Sequence, residues 1–193
     1  MLISDYRELC PVSLPYAARQ KRYHTFDLAD PEMPEGFEDY LEPVLALTHS
    51  AGATEGMAHM TVDEKVVLAG NSQRRPGWHV DGCFVPANGG TWSHGGGSWS
   101  HKYQRMSVIV AASAVGCQVW RGLVFAEPAS DGDLSHVMLP SKGEIVPANV
   151  GYLLSPDCVH QSLVQQQDTQ RTFLRIALPL TYDGGWRKAS VAA

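Results

Sequence analysis

The sequence predicts a mainly β protein, a jelly-roll (cupin-like) core carried behind a helical front section. Seven short β-rich runs crowd the stretch from 65 to 182. Turn clusters such as "SDGD", "SKG" and "QQQDTQ" separate them. No helical period intervenes, and strands at close spacing without helices between them form a sandwich or barrel rather than a βαβ sheet.

The front section, residues 1–60, reads as helical and irregular support. In "PEGFEDYLEPVLALTHSAG" the residues Phe37, Leu41, Val44, Leu45 and Leu47 recur at three-and-four spacing, the pattern of a helix buried on one face. Pro43 predicts a break or kink near its middle, and Gly52 a C-terminal stop. The strands follow: "KVVLAG" (65–70), "RMSVIVAASA" (105–114), "CQVWRGLVFAE" (117–127), "VMLP" (137–140), "EIVPANVGYLLSP" (144–156), "VHQSLV" (159–164) and "RTFLRIALPL" (171–180). A strand carrying "WHVD" makes about eight, the number of a jelly roll. "ANGGTWSHGGGSWSH" (87–101) fits no strand. Its glycines confer mobility, while Trp92, Trp99, His94 and His101 offer groups that could grip a substrate. The tail after Trp186 reads as frayed.

A chain of 193 residues is expected to form one domain, with 65–182 as its jelly-roll core. Its 44% hydrophobic and 18% charged residues are those of an ordinary globular protein. A net charge of −5 argues against a broad basic surface for nucleic-acid backbones. No apolar run approaches the ~20 residues that a bilayer core requires, and the N-terminus lacks the apolar centre of a secretory signal. A cytoplasmic location is therefore expected. Cys10, Cys83, Cys117 and Cys158 form no C-x-x-C pair, which excludes a zinc finger and favours reduced thiols.

The chemistry centres on "GWHVDG" (77–82). On a strand, residues two apart face the same way, so His79 and Asp81 project together toward one cation. Gly77 and Gly82 read as bends at either end, and Trp78 faces away from the metal. His160, heading the strand after "SPDC", is the candidate third ligand. Two imidazoles and one carboxylate form the facial triad of non-haem Fe(II), although zinc accepts the same donors. Arg171 and Arg175 share a face of "RTFLRIAL", and an inward arginine on a sandwich strand is costly unless it meets an anion. The guanidinium fork suits a carboxylate, and the sequence offers no obvious internal partner. Arg74 and Arg75 could bind a substrate anion or form a solvated pair. His24, His49, His59 and His136 show no partner pattern and read as surface or packing residues.

The order H-x-D, distal histidine, then arginine on the next strand resembles the Fe(II)/2-oxoglutarate-dependent dioxygenase superfamily, over roughly residues 65 to 182. The resemblance implies a double-stranded β-helix, with Fe(II), 2-oxoglutarate and O2 as cofactors and succinate and CO2 as products. It implies His79, Asp81 and His160 as metal ligands and Arg171 as anchor of the far 2-oxoglutarate carboxylate. Arg175 then assists or binds substrate. The usual serine or threonine two residues after the arginine is absent; Phe173 and Ala177 stand there, so either arginine could be the anchor. The carboxylate of Asp81 favours hydroxylation or a related oxidation over halogenation. A small-molecule substrate is expected, with a nucleobase or peptide side chain as the alternative, since Trp78, Trp92 and Trp99 could stack on a flat ring. A cupin-like metal-binding protein that does not use 2-oxoglutarate is the alternative of another class; H-x-D in place of H-x-H, with the late arginines, counts against it. A noncatalytic sandwich module would leave the triad unexplained.

Overall fold

The computed structural model describes residues 1–81, 83–86, 93–94 and 103–186. The protein is mainly β, and every strand pairing in it is antiparallel. The strands are β1 (Leu2–Ser4), β2 (Tyr6–Pro11), β3 (Arg22–Asp27), β4 (Met57–Val67), β5 (Cys83–Pro86), β6 (Ser93–His94) and β7 (Tyr103–Arg105). They continue with β8 (Val108–Ala112), β9 (Cys117–Trp120), β10 (Gly122–Val124), β11 (Glu144–Val146), β12 (Val150–Leu154), β13 (Val159–Ser162) and β14 (Thr169–Ala177). A six-stranded sheet runs β2-β12-β8-β14-β4-β3, and a three-stranded sheet runs β11-β9-β13. Two small sheets, β1-β10 and β6-β5-β7, complete the set.

The front section is not the helical support expected for 1–60. It supplies three strands and the start of a fourth, and its helix α1 covers only Leu41–Ala51. Pro43 falls in the first turn of α1, where its missing N–H has no intrahelical partner to lose, so it starts the helix instead of kinking it. The expected stop stands at Gly52, at φ 76°, whose N–H donates to the His49 carbonyl.

The large sheet buries both faces. Alternating residues of β4, β8 and β14 (Met60, Val62, Ile109, Ala111, Leu174, Ile176) meet Val44 and Leu47 of α1 and the front section. The opposite alternation (Val108, Val110, Ala112, Phe173, Ala177) meets Cys117, Val119 and Val146 of the smaller sheet. Burial on both faces explains why β8 reads as the unbroken apolar run "VIVAA".

Strand expectations change in several places, and the run 117–127 divides at Arg121 into β9 and β10, which join different sheets. The strand expected at 65 begins at Met57, because Thr61, Asp63 and Glu64 interrupt the apolar alternation and find polar partners only in the fold. "VMLP" forms no strand and instead leaves a turn closed by Val137 N–H on the Leu134 carbonyl. The run 144–156 divides at residues 147–149, where Asn149 takes φ 58°. The gripping residues proposed at 87–101 and the frayed tail after Trp186 lie outside the described residues, apart from the strand Ser93–His94. Among the described residues, no helix is long and apolar enough to cross a membrane.

Glu64 ties the front section to β4. Its fully buried carboxylate accepts from the Ala17 and Arg19 N–H groups, from Arg19 Nη1 at 2.9 Å and from Tyr40 Oη at 2.7 Å. Burial would raise its pKa, but the hydrogen bonds from Tyr40, Ala17 and Arg19 prevail and hold the carboxyl below its usual range. Glu64→Ala should cost on the order of 3 kcal/mol in urea denaturation at neutral pH. A folded-state pKa below the unfolded one gives stability that is lost as pH falls. The gap between wild type and variant should therefore narrow below about pH 4.

Candidate metal centre

The segment 75–81 lies between two neighbours. His79 N–H donates to the His160 carbonyl at 2.9 Å, and His160 N–H donates back to the His79 carbonyl at 3.0 Å. On the other side, Val80 N–H meets the Gly132 carbonyl, and Leu134 N–H meets the Trp78 carbonyl. His79 thus bridges both neighbours without belonging to a continuous strand. Gly77, at φ 77°, supplies the expected bend before it, whereas Gly82 lies outside the described residues. Trp78 packs against the cluster of Leu2, Val80 and Trp120, away from the imidazoles, as expected.

A directly opposed antiparallel pair turns both side chains to one face. The His79 and His160 rings accordingly stand 4.4 Å apart, tilted by 57°. Each Nδ1 faces a backbone carbonyl two residues earlier: His79 to Gly77 O at 2.7 Å, His160 to Cys158 O at 3.0 Å. With Nδ1–H donating there, each Nε2 keeps its lone pair for a ligand. Burial, reinforced by the neighbouring His160, pushes the His79 pKa down to about 3, so its ring is neutral at physiological pH.

Both imidazoles open into a cavity of about 120 Å³ that Asp81, Arg171, Arg175 and Phe173 also line. The structure therefore brings all five of the site residues expected from the sequence to one place. It also supplies an arrangement the sequence did not reveal. Arg175 Nη1 donates to both Asp81 oxygens, at 2.9 and 3.0 Å, and its Nη2 reaches Thr61 Oγ1 at 3.5 Å. Arg175 thus has the internal carboxylate partner that the sequence did not disclose. The two residues are 94 apart in the chain, so no local signal could have revealed the pair. Burial would raise the Asp81 pKa, but the Arg175 charge, together with His160, His79 and Arg74, outweighs it and keeps the carboxyl well below its usual range. As the side chains stand, no three His, Cys, Asp or Glu groups among the described residues are gathered closely enough to hold a metal ion.

Arg171 contrasts with its neighbour. It is 1% exposed, and its guanidinium donates from Nε to the Ala114 carbonyl at 3.1 Å and from Nη1 to Gln73 Oε1. Among the described residues, no carboxylate lies within ion-pair distance of it. Burial pushes its pKa down, against the opposing pull of Cys117 and Asp63. The other two arginines on the cavity wall are engaged. Arg75 pairs with Asp131 at 2.8 Å and Asp133 at 3.3 Å. Arg74 reaches Asp63 at 3.6 Å and lies over the Phe173 ring. Away from the cavity, His24 and His136 meet backbone carbonyls and His59 meets Thr25 Oγ1. Cys10, Cys117 and Cys158 are free thiols.

No family model matches this chain, and no curated protein does. Among solved structures it is similar to a prolyl-4-hydroxylase from Pseudomonas putida, at 14% identity and a TM-score of 0.37, over 87% of this chain and 75% of that one. No residue assignment rests on that likeness.

The Asp81–Arg175 pair should be visible in stability. In chelator-treated protein, Asp81→Ala should cost about 2 kcal/mol, because it strands a buried guanidinium. Combining it with Arg175→Leu should recover at least about 1 kcal/mol of the summed losses in a double-mutant cycle read by urea denaturation.

Proposed function

We propose that this protein is a non-haem Fe(II)- and 2-oxoglutarate-dependent dioxygenase, a single domain built on a double-stranded β-helix of the jelly-roll type. It oxidises a C–H bond of a small-molecule substrate, typically by hydroxylation, with release of succinate and CO2. The observation that carries this reading is the opposed pair His79 and His160. Their Nδ1 atoms are tied to backbone and their Nε2 atoms left for a ligand, in a cavity that also holds an ionised carboxylate and a buried arginine with no carboxylate partner among the described residues.

The donor chemistry fits the metal. A divalent ion requires neutral imidazoles, and burial keeps His79 neutral. It requires an ionised carboxylate, and Arg175 keeps Asp81 in that form. A carboxylate has about four lone-pair sites, so Asp81 can serve the metal while still accepting from Arg175. His79, Asp81 and His160 would hold the iron, and the bound iron would supply the redox chemistry that activates O2 against a C–H bond. The rest of the work is positioning. Arg171 binds the far carboxylate of 2-oxoglutarate, and Arg175 orients Asp81. The apolar walls formed by Val110 and Phe173 exclude water, which strengthens the arginine–carboxylate attraction. No side chain need move a proton.

Anaerobic titration with Fe(II) and 2-oxoglutarate should develop a weak visible charge-transfer band, and admitting O2 should release succinate. Absence of both would overturn the reading. His79→Ala should abolish both signals. Arg171→Ala should raise the 2-oxoglutarate concentration required by about tenfold or more while leaving iron binding intact. If only Arg175→Ala does so, the anchor is Arg175. A mass-spectrometric screen for gain of one oxygen atom then identifies the substrate.

A further inference from the structure

We infer that Gln73, together with the bare backbone of Gly116, presets the Arg171 guanidinium as an anion receptor whose charge is left open for an incoming carboxylate. That the carboxylate belongs to 2-oxoglutarate rests on the function proposed above; the receptor itself rests on the geometry alone.

Gln73 is 6% exposed and holds β4 and β14 at once. Its Nε2 donates to the Asp63 carbonyl at 2.7 Å and, more weakly, to the Arg171 carbonyl at 3.4 Å. Those acceptors fix the amide orientation, since the opposite flip would set carbonyl against carbonyl and NH2 against guanidinium. Its Oε1 is thereby aimed at Arg171 Nη1. The second hold is the Ala114 carbonyl on Nε. Both acceptors are neutral. They fix the position of the guanidinium without cancelling its charge, unlike the carboxylate on Arg175. A charge held this way in a poorly hydrated cavity attracts a carboxylate more strongly than it would in water.

Gly116 provides the space. A Cβ there would stand 2.8 Å from Arg171 Nε and 2.9 Å from its Cζ, so any side chain would displace the guanidinium. The Gly116 carbonyl is itself fixed by Leu163 N–H at 2.9 Å and Ser162 Oγ at 3.3 Å, so the backbone has little room to yield. Arg171 and Gly116 line the cavity, whereas Gln73 acts on the anion only through Arg171 and is a positioning residue.

The test uses the full chain and calorimetric titration with two dicarboxylates: 2-oxoglutarate with Fe(II) under anaerobic conditions, and glutarate without metal. Gln73→Glu retains the oxygen that Arg171 donates to but adds a permanent internal carboxylate. It should weaken both ligands by about tenfold or more; because the variant also loses the Nε2 bond to the Asp63 carbonyl, circular dichroism first establishes that the unliganded variant is folded. 2-Oxobutyrate, which lacks the far carboxylate, should keep its iron-dependent affinity. Gly116→Ala should weaken both dicarboxylates by displacing the guanidinium, and decides the matter alone if the first variant does not fold. A purely structural glutamine would let Gln73→Glu bind like wild type, and that result overturns the inference. So does unchanged affinity in Gly116→Ala, or a wild-type protein that binds neither dicarboxylate. Wild type that binds glutarate but develops no iron band with 2-oxoglutarate would sink the dioxygenase reading and leave the receptor standing.

Discussion

The register of β14 is the constraint on which the rest of the molecule depends. This nine-residue strand pairs along its length with β4 and over its second half with β8, and its side chains alternate between two very different environments. Leu174 and Ile176 enter the apolar cluster with α1. Arg171, Phe173 and Arg175 face the cavity. A slip of one residue would exchange the faces and drive two guanidinium groups toward the apolar cluster around Leu174 and Ile176. The hydrophobic demand of one face thus fixes where the charges of the other face stand. The partners opposite follow from the same pairing: Thr61 across from Arg175, Asp63 across from Phe173.

The cavity has an uneven balance of charge that gives it chemical character. Among the described residues, four arginines line it against two aspartates, Asp81 and Asp131. Arg175 and Arg75 are matched with those aspartates, and Arg74 leans on Asp63 and on the Phe173 ring. Among the described residues, the groups that hold the Arg171 guanidinium are neutral. Two arginines four residues apart on one strand face have therefore met different partners, one a carboxylate and the other neutral acceptors. Their type and spacing could not distinguish them. Which acidic residue lies within reach does.

The histidine pair is positioned with few elements. Two reciprocal backbone hydrogen bonds bring His79 and His160 face to face, although 81 residues separate them, and two carbonyl contacts set their ring orientations. Because His79 also bridges to the segment around Asp133, the short stretch 75–81 is braced on both edges. That bracing fixes the imidazole orientations before any ligand arrives, which reduces the ordering cost of binding.

The sequence by itself determined the β-rich class, because apolar alternation and turn residues are local signals. It also determined the roster of groups at the site, since H-x-D, a later histidine and paired arginines are legible as residue types at given spacings. It misread the front section. The apolar rhythm around α1 stood out, while β2 and β3 carry polar residues on their exposed sides and draw their stability from neighbours far along the chain. Only the tertiary structure decided that Pro43 lies in the first turn of a helix, that Asp81 is held by Arg175, and that Arg171 meets Gln73 and the Ala114 carbonyl. The reason is physical: burial, charge pairing and hydrogen-bond direction depend on which distant segments meet, and a residue's type records what it can do but not which partner it finds.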